Sequence, residues 1–319
     1  MADPNTKKNT EQEDSNRDLG LGSRVTQQSH KRFLNRDGSF NVARKGLHYW
    51  KSQNLYHWLL TISWMRFFFL VIGFYFITNI LFACFYLLAG ENALSGLTGL
   101  SFEERFADAF FFSVQTLATI GYGVISPKTL PANFLVSIEA LFGMLGFALV
   151  TGILFARFSR PQAKIIFSDK AVVAPFKDKT AFMFRIANER SNQLIEVVPT
   201  VSMGRFETVN GKQVRQFHTL TLEREKVTFM PLHWVIVHLI DESSPLWGVS
   251  EEDFRSSDTE IFVLLSGIDE TFSQTVHARS SYKSSEIVWN AKFVDMFIDS
   301  DDGIINVDMR KIHDIVNIS

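Results

Sequence analysis

Cysteine is almost absent from this chain of 319 residues, whose single one, Cys84, lies in an apolar run. One cysteine cannot form a disulfide framework within a chain, and we interpret it as a small residue facing lipid or the core. The formal charge of −2 gives no reason to expect a nucleic-acid partner. Phosphate-binding glycine loops and ordered Ser/His/Asp or metal-ligand patterns are also missing. The sequence therefore argues against an enzyme and predicts no cofactor.

The N-terminal 30 residues are polar and charged, without the apolar core of a signal peptide. We expect a disordered or extended cytoplasmic segment over residues 1–45.

Two long apolar runs indicate membrane-spanning helices. The first, Phe67 to Ala89, is uncharged over 23 residues, and about 20 suffice to cross a bilayer. The second extends from about Ala132 to Phe158, with Pro131 well placed at its start.

A different kind of segment, Leu47 to Trp64, precedes the first run. It mixes aromatic and aliphatic residues with Lys51, His48 and His57, a combination typical of helices that lie in the membrane interface. We predict an amphipathic interfacial helix over residues 46–64. A cytosolic helix packed on a second domain is the alternative.

Between the two runs, apolar residues at helical spacing predict a short helix over Phe102 to Leu117. It leads into Thr119-Ile120-Gly121-Tyr122-Gly123, which resembles the selectivity filter of potassium channels. Gly121 and Gly123 tolerate the dihedrals that aim successive carbonyl oxygens at one axis. Thr119 adds a hydroxyl oxygen and Tyr122 can brace the loop. One chain supplies one wall of such a pore, so several chains must surround the axis.

Glu139 is the one charged residue in the second run before Arg157. A carboxylate at membrane depth is costly and should face protein or water. We therefore predict that Glu139 supports the filter or the short helix before it. The alternative is a protonated or snorkelling residue without function.

From Lys164 onward the composition changes to that of β-structure. Short apolar or alternating stretches are separated by turns such as Asn210-Gly211, and many short strands suggest a sandwich. Met309 to Val316 is predicted as a short closing helix. The predicted strands include Ala181–Ile186, Val214–Leu222, His233–Leu239, Ile261–Leu265 and Glu286–Phe293.

Basic residues lie mainly before the first run and after the second, whereas the loop between the runs has few. The positive-inside rule then places both termini in the cytosol and the filter near the outer face. We expect a multi-pass protein of the cell inner (plasma) membrane.

With these features combined, the chain resembles a prokaryotic inward-rectifier (Kir-type) potassium channel over residues 45–316. Besides the filter, the resemblance rests on dispersed motifs in the expected order: Ala156-Arg157-Phe158-Ser159-Arg160-Pro161, Ile240-Asp241-Glu242-Ser243-Ser244-Pro245-Leu246, Ala278-Arg279-Ser280-Ser281-Tyr282 and Glu286-Ile287-Val288-Trp289.

The resemblance implies a membrane α + β fold: two transmembrane helices with a re-entrant pore helix and filter, plus a cytoplasmic immunoglobulin-like β-sandwich. It divides the chain into residues 1–45, an interfacial slide helix at 46–64, a pore domain at 65–160 and the sandwich at 161–319. It also implies a homotetramer that conducts potassium passively and selectively, and places it loosely among voltage-gated channels. Potassium is the permeant ion, held by Thr119, Ile120, Gly121 and Tyr122.

The family's gating sites transfer to matching positions. Phe155 corresponds to the gate at the helix bundle crossing, and its spacing places Phe147, Thr151 and Phe155 on one helical face as pore-lining residues. The cytoplasmic constriction corresponds to Ser273, Gln274, Thr275 and Val276. Gating by anionic membrane lipid is implied, and the predicted lipid-binding cations are Lys51, Arg66, Arg157, Arg160 and Lys164. Ordinary topology-setting charge is the alternative.

The chain departs from animal members of the family at several positions. Gln115 replaces the glutamate behind the filter, and Val124-Ile125 offers no arginine to pair with one; we assign filter support to Gln115 and Glu139. Phe147 and Ser266 stand where strong rectifiers carry pore acids, which implies only weak block by polyamine or Mg²⁺. A membrane-tethered β-sandwich sensor with a non-conducting or poorly selective pore remains the alternative function.

Overall fold

The computed structural model describes residues 31–42, 55–160, 163–190, 192–209, 211–230, 232–298, 303 and 305–318. The chain divides into two compact units. One comprises residues 45–160 and is mainly helical, and the other comprises residues 1–44 and 161–319 and is mainly β-structure.

The helical unit contains α1 (Leu55–Thr61), α2 (Trp64–Leu88), β1 (Leu94–Ser95), α3 (Phe102–Leu117), β2 (Ser126–Pro127) and α4 (Leu130–Phe158). Helix α3 has the predicted bounds. Helix α2 begins before the predicted Phe67, because Ser63 is extended and its hydroxyl accepts the amide of Arg66 as an N-cap. Helix α1 covers the end of the predicted interfacial segment, of which residues 46–54 lie outside the described ranges.

Within the described residues, α2 and α4 are the helices long and apolar enough to cross a membrane, with 25 and 29 residues. At 1.5 Å per residue they extend about 37 and 43 Å. They pack against α3 around a small core that contains Phe82, Tyr86 and Phe112.

The β-rich unit contains two five-stranded sheets. The strand bounds are β3 (Ile165–Phe167), β4 (Ala171–Phe176), β5 (Lys179–Asn188), β6 (Leu194–Val209), β7 (Lys212–Thr219), β8 (Val227–Met230), β9 (His233–Ile240), β10 (Glu260–Asp269), β11 (Gln274–Lys283), β12 (Ile287–Trp289), β13 (Ala291–Phe293), β14 (Phe297–Ile298), β15 (Asn306–Val307) and β16 (Ile315–Asn317), with helix α5 (Glu251–Ser256) before β10. The first sheet has the order β11-β10-β6-β7, with β8 also paired to β6. The second has the order β12-β4-β5-β3, with β9 also paired to β5.

One apolar core joins residues of both sheets. Phe184 and Ile186 on β5 belong to the same buried cluster as Met203 on β6 and Ile261 on β10. The predicted sandwich is confirmed, since alternate residues of these strands are buried on one face.

Two predicted elements of the β-rich unit differ from the structure. Glu286–Phe293 is not one strand, because Asn290 has a left-handed φ of 55° and separates β12 from β13. Met309–Val316 is not one helix: a 3₁₀ turn over Met309–His313 gives way to β16, which pairs with β13.

Residues 31–42, hereafter the N-terminal hairpin, fold back on themselves through a bridge between Leu34 and Phe40. They lie inside the segment that we expected to be disordered or extended. Phe33 and Leu34 are buried with Phe217 and Phe262 of the sandwich. This apolar contact explains why a mostly polar segment is ordered here.

Candidate functional site

The filter motif begins directly after the C-terminal end of α3. At the other end of that helix, Ser101 and Glu104 form a capping box in which each side chain accepts the other's backbone amide. The capping box fixes the residue at which α3 begins. It thereby helps to fix the position of the last turn of α3, which directly precedes Thr119.

The backbone of the motif alternates in conformation. Thr119, Gly121 and Gly123 have φ values of 58°, 60° and 80°, in the left-handed region that favours glycine. We predicted unusual dihedrals at both glycines, and the structure has them. Such alternation directs successive carbonyl oxygens to one side of an extended segment, as ion coordination requires.

The last turn of α3 holds the motif through backbone contacts. The carbonyl oxygen of Gln115 accepts the amides of Ile120 at 2.7 Å and Gly121 at 3.3 Å, and that of Thr116 accepts the amide of Thr119 at 3.0 Å. Gln115, predicted as filter support, thus contacts the loop through its main chain. The type of residue at position 115 does not determine these bonds, which is why sequence alone could not reveal them.

Ile120 and Tyr122 leave 48% and 74% of their surface exposed in the single chain. Large apolar side chains at membrane depth are not expected to remain open to water. Their exposure agrees with the inference that further copies of the chain surround the motif.

Glu139 lies on α4 and is fully buried. Its carboxyl group contacts the hydroxyl groups of Ser113 on α3 and Tyr86 on α2. The predicted support by Glu139 is therefore directed at the pore helix and the first spanning helix. Sequence reasoning missed Tyr86 and its neighbour Asn79, although two polar residues seven positions apart in an apolar helix were a usable signal.

Phe147, Thr151 and Phe155 are exposed along one face of α4 in the single chain. Phe147 and Phe155 expose 77% and 73% of their surface. Gly143 lies on the same helix, and a Cβ there would come within 2.4 Å of the Leu117 carbonyl oxygen. Gly143 is therefore a close-packing site for the end of the pore helix.

The predicted lipid-binding cations differ in their surroundings. Arg66 and Arg160 are exposed on the helical unit. Lys164, on the β-rich unit, forms an ion pair of 3.6 Å with Glu189. Lys51 lies outside the described residues. Arg157 contacts protein instead. Its guanidinium donates to the carbonyl oxygens of Leu59 and Ile62 and stacks on the rings of Trp64 and Phe67.

The predicted cytoplasmic constriction lies at the tip of the β10–β11 hairpin. Ser273, Gln274 and Thr275 are exposed, with Ser273 at a left-handed φ of 50°. Val276 is buried in the core of the sandwich. Successive side chains of a strand point to opposite faces, so Val276 is buried next to the exposed Thr275.

Strand β11 also receives the N-terminal hairpin, which sequence reasoning missed. The Arg32 guanidinium donates to the Ser281 carbonyl oxygen at 2.5 Å and to the Glu286 carboxylate at 3.0 Å. The buried Glu260 carboxylate accepts the amides of Phe33 and Leu34, both at 3.3 Å. Two apolar residues directly after two basic ones, in Lys31-Arg32-Phe33-Leu34, were the available signal.

Comparisons with known proteins agree with these observations. Residues 67–160 match a family model described as "Ion channel", and residues 165–319 match one described as "Inward rectifier potassium channel C-terminal domain". The inward rectifier potassium channel Kirbac3.1 of Paramagnetospirillum magnetotacticum is 44% identical over 290 residues, which cover 89% of this chain and 95% of that protein. G protein-activated inward rectifier potassium channel 2 of Mus musculus is 30% identical over 67% of this chain, which spans about half, 52%, of its length.

These relatives are ion channels, a class of protein without enzymatic function. The looser assignment to voltage-gated channels is inexact, because the matched descriptions are those of inward rectifiers and of ion channels in general. Two apolar helices of spanning length, a re-entrant motif between them and a following β-sandwich complete the expected fold class. The chain belongs to the inward rectifier potassium channel family.

Proposed function

We propose that the chain conducts potassium passively and selectively as a homotetramer. The observation that carries the proposal is the alternating backbone of Thr119, Gly121 and Gly123, anchored at its start by the Gln115 carbonyl oxygen. Carbonyl oxygens of Thr119 to Tyr122, together with the Thr119 hydroxyl, replace the water of a dehydrated potassium ion. Several copies are needed because one chain encloses no axis.

Anionic lipid gates this pore from the inner leaflet, where both termini lie. Each exposed cation near an anionic membrane surface contributes about 1 kcal/mol of attraction, and Arg66 and Arg160 are placed to contribute it. Arg157 joins the carbonyl end of α1 to the last turn of α4. A shift of the interfacial helix is thereby passed to the helix that carries Phe155.

Potassium flux into liposomes that contain the purified tetramer tests the proposal, with sodium as the competing ion. We expect potassium uptake that sodium neither supports nor blocks. Uptake of both ions alike would indicate a poorly selective pore. No uptake of either, in any lipid composition, would favour the membrane-tethered sensor.

A further inference from the structure

One buried polar cluster connects the three helices around the filter. It consists of Asn79 and Tyr86 on α2, Ser113 on α3 and Glu139 on α4, of which none exposes more than 1% of its surface. The described part of the chain brings no lysine, arginine or histidine to the Glu139 carboxyl group, whose partners are the two hydroxyl groups. The cluster must therefore satisfy its polar atoms with its own hydrogens.

The orientation of Asn79 is fixed by its neighbour one turn earlier. Its amide nitrogen donates to the Tyr75 carbonyl oxygen at 2.7 Å, so its amide oxygen faces the Ser113 hydroxyl at 3.0 Å. In the flipped orientation, the Asn79 amide oxygen would face the Tyr75 carbonyl oxygen, and neither atom carries a hydrogen.

The number of available hydrogens determines whether the Glu139 carboxyl group is protonated. The Ser113 hydroxyl lies within hydrogen-bond reach of two oxygens, one on Asn79 and one on Glu139, but it has a single hydrogen. If Ser113 donates to Glu139, two oxygens with lone pairs oppose each other at Asn79. If Ser113 donates to Asn79, the contact with Glu139 needs a hydrogen from the carboxyl group. The other carboxyl oxygen accepts from Tyr86 in either case.

We propose that Glu139 is a neutral carboxylic acid that acts as a positioning residue for the pore helix. Its hydrogen completes a relay from Glu139 to Ser113 to Asn79 to the Tyr75 carbonyl oxygen, and each of these contacts then has one hydrogen between its two heavy atoms. A buried carboxyl group without a cationic partner is also far less costly when neutral.

The relay reaches the filter through two residues of α3. Ser113 lies one position before Val114 and two before Gln115, whose carbonyl oxygen holds the amides of Ile120 and Gly121. Fixing Ser113 between two spanning helices therefore fixes the anchor of the filter. Loss of the relay leaves buried polar atoms unpaired and lets this turn move.

The test uses the full-length tetramer and three variants of α4. Glu139→Gln keeps one donor and one acceptor, so we expect potassium flux and potassium-over-sodium selectivity within about twofold of the parent. Glu139→Ala removes both, and we expect selectivity to fall by about tenfold or more. Ser137→Ala is the matched control, because the Ser137 hydroxyl is exposed and bonds within its own helix.

Infrared spectroscopy tests the proton directly, even if the pore does not conduct. The parent should show the carbonyl stretching band of a protonated carboxylic acid, and Glu139→Gln should lose it. Absence of that band overturns the proposal, as does a Gln variant that fails to assemble or is as impaired as the Ala variant. If Glu139→Ala matches the parent in selectivity, Glu139 does not position the pore helix. This inference rests on the proposed function only for its flux measurement. The infrared result therefore distinguishes a protein that does not conduct potassium from one in which Glu139 is not neutral.

Discussion

At the scale of single residues, Gly121 is restricted by its backbone angle and not by crowding. Its φ is 60°, and no atom lies within 4 Å of a Cβ built on it. A left-handed conformation costs a residue with a Cβ about 1–2 kcal/mol in each copy. We expect Gly121→Ala to reduce selective potassium flux at least about tenfold while the tetramer stays assembled.

Gly73→Ala is the control for this substitution, since Gly73 is helical and also has open space around a built Cβ. Flux through both proteins is measured in liposomes at equal protein density. Normal selective flux in Gly121→Ala would refute the assignment of the filter.

His238 gives the β-rich unit a dependence on pH. Its ring is buried between the Thr221 carbonyl oxygen and the Ser244 hydroxyl, and burial lowers its pKa below the usual 6.5. The unfolded chain then binds the proton first, so stability is complete above about pH 6.5 and declines as the pH falls below it.

His238→Asn keeps a donor for Thr221 but cannot titrate. In thermal unfolding between about pH 7.5 and pH 5.5, we expect the parent to lose more stability than this variant. His277→Asn, at an exposed histidine, should behave as the parent does. Equal losses in all three proteins would show that His238 does not titrate on unfolding.

At the scale of elements, the inner helix α4 carries the gate that we predict at Phe155. The ring is 73% exposed in the single chain, and rings from all copies around one axis would exclude water. Phe155→Ala should raise basal flux, by about tenfold if this constriction limits conduction. Phe134→Ala, equally exposed at 69% near the other end of α4, is the control. Equal flux in both variants would locate the closing constriction elsewhere.

The contact between α1 and α4 depends on the shape of Arg157 as well as its charge. A lysine keeps the charge but cannot donate to both Leu59 and Ile62 while stacking on Trp64. Arg157→Lys should therefore weaken the response of flux to anionic lipid by about tenfold. Arg160→Lys, at an exposed position, should leave it unchanged. If both lysine variants respond like the parent, Arg157 acts through charge alone.

At the scale of the whole molecule, the proposed pore lacks acids at the two positions where strong rectifiers carry them. Phe147 and Ser266 supply none, and Asp269 is fully buried with its carboxylate accepting the amide of Thr271 and the side chain of Asn192. Carboxylates would stabilise spermine electrostatically. We expect weak spermine block in patch recordings of the parent and steeper, voltage-dependent block in Phe147→Asp. Steep block in the parent, or no gain in the variant, would show a different cation site.

How far the sequence predicts this molecule depends on the range of the interactions. The bounds of α3, the glycine dihedrals and the sandwich follow from local patterns of residues. The partners of Glu139 come from three helices, and the burial of Val276 follows from strand register. The end of the predicted C-terminal helix becomes β16 because β13 is there to pair with it. None of these contacts has a signal within one segment of the sequence.

The N-terminal hairpin has a consequence for how the protein is made. The Ser281 hydroxyl donates to the Leu34 carbonyl oxygen across 247 positions of sequence, with both spanning helices synthesised in between. The Leu34 carbonyl oxygen therefore lacks its Ser281 partner until β11 has been synthesised, after both spanning helices. Such distant pairing slows folding and prolongs the exposure of apolar surface. Deletion of residues 1–42 from the chain would leave Phe217 and Phe262 of the sandwich uncovered. We expect a sandwich without this segment to aggregate.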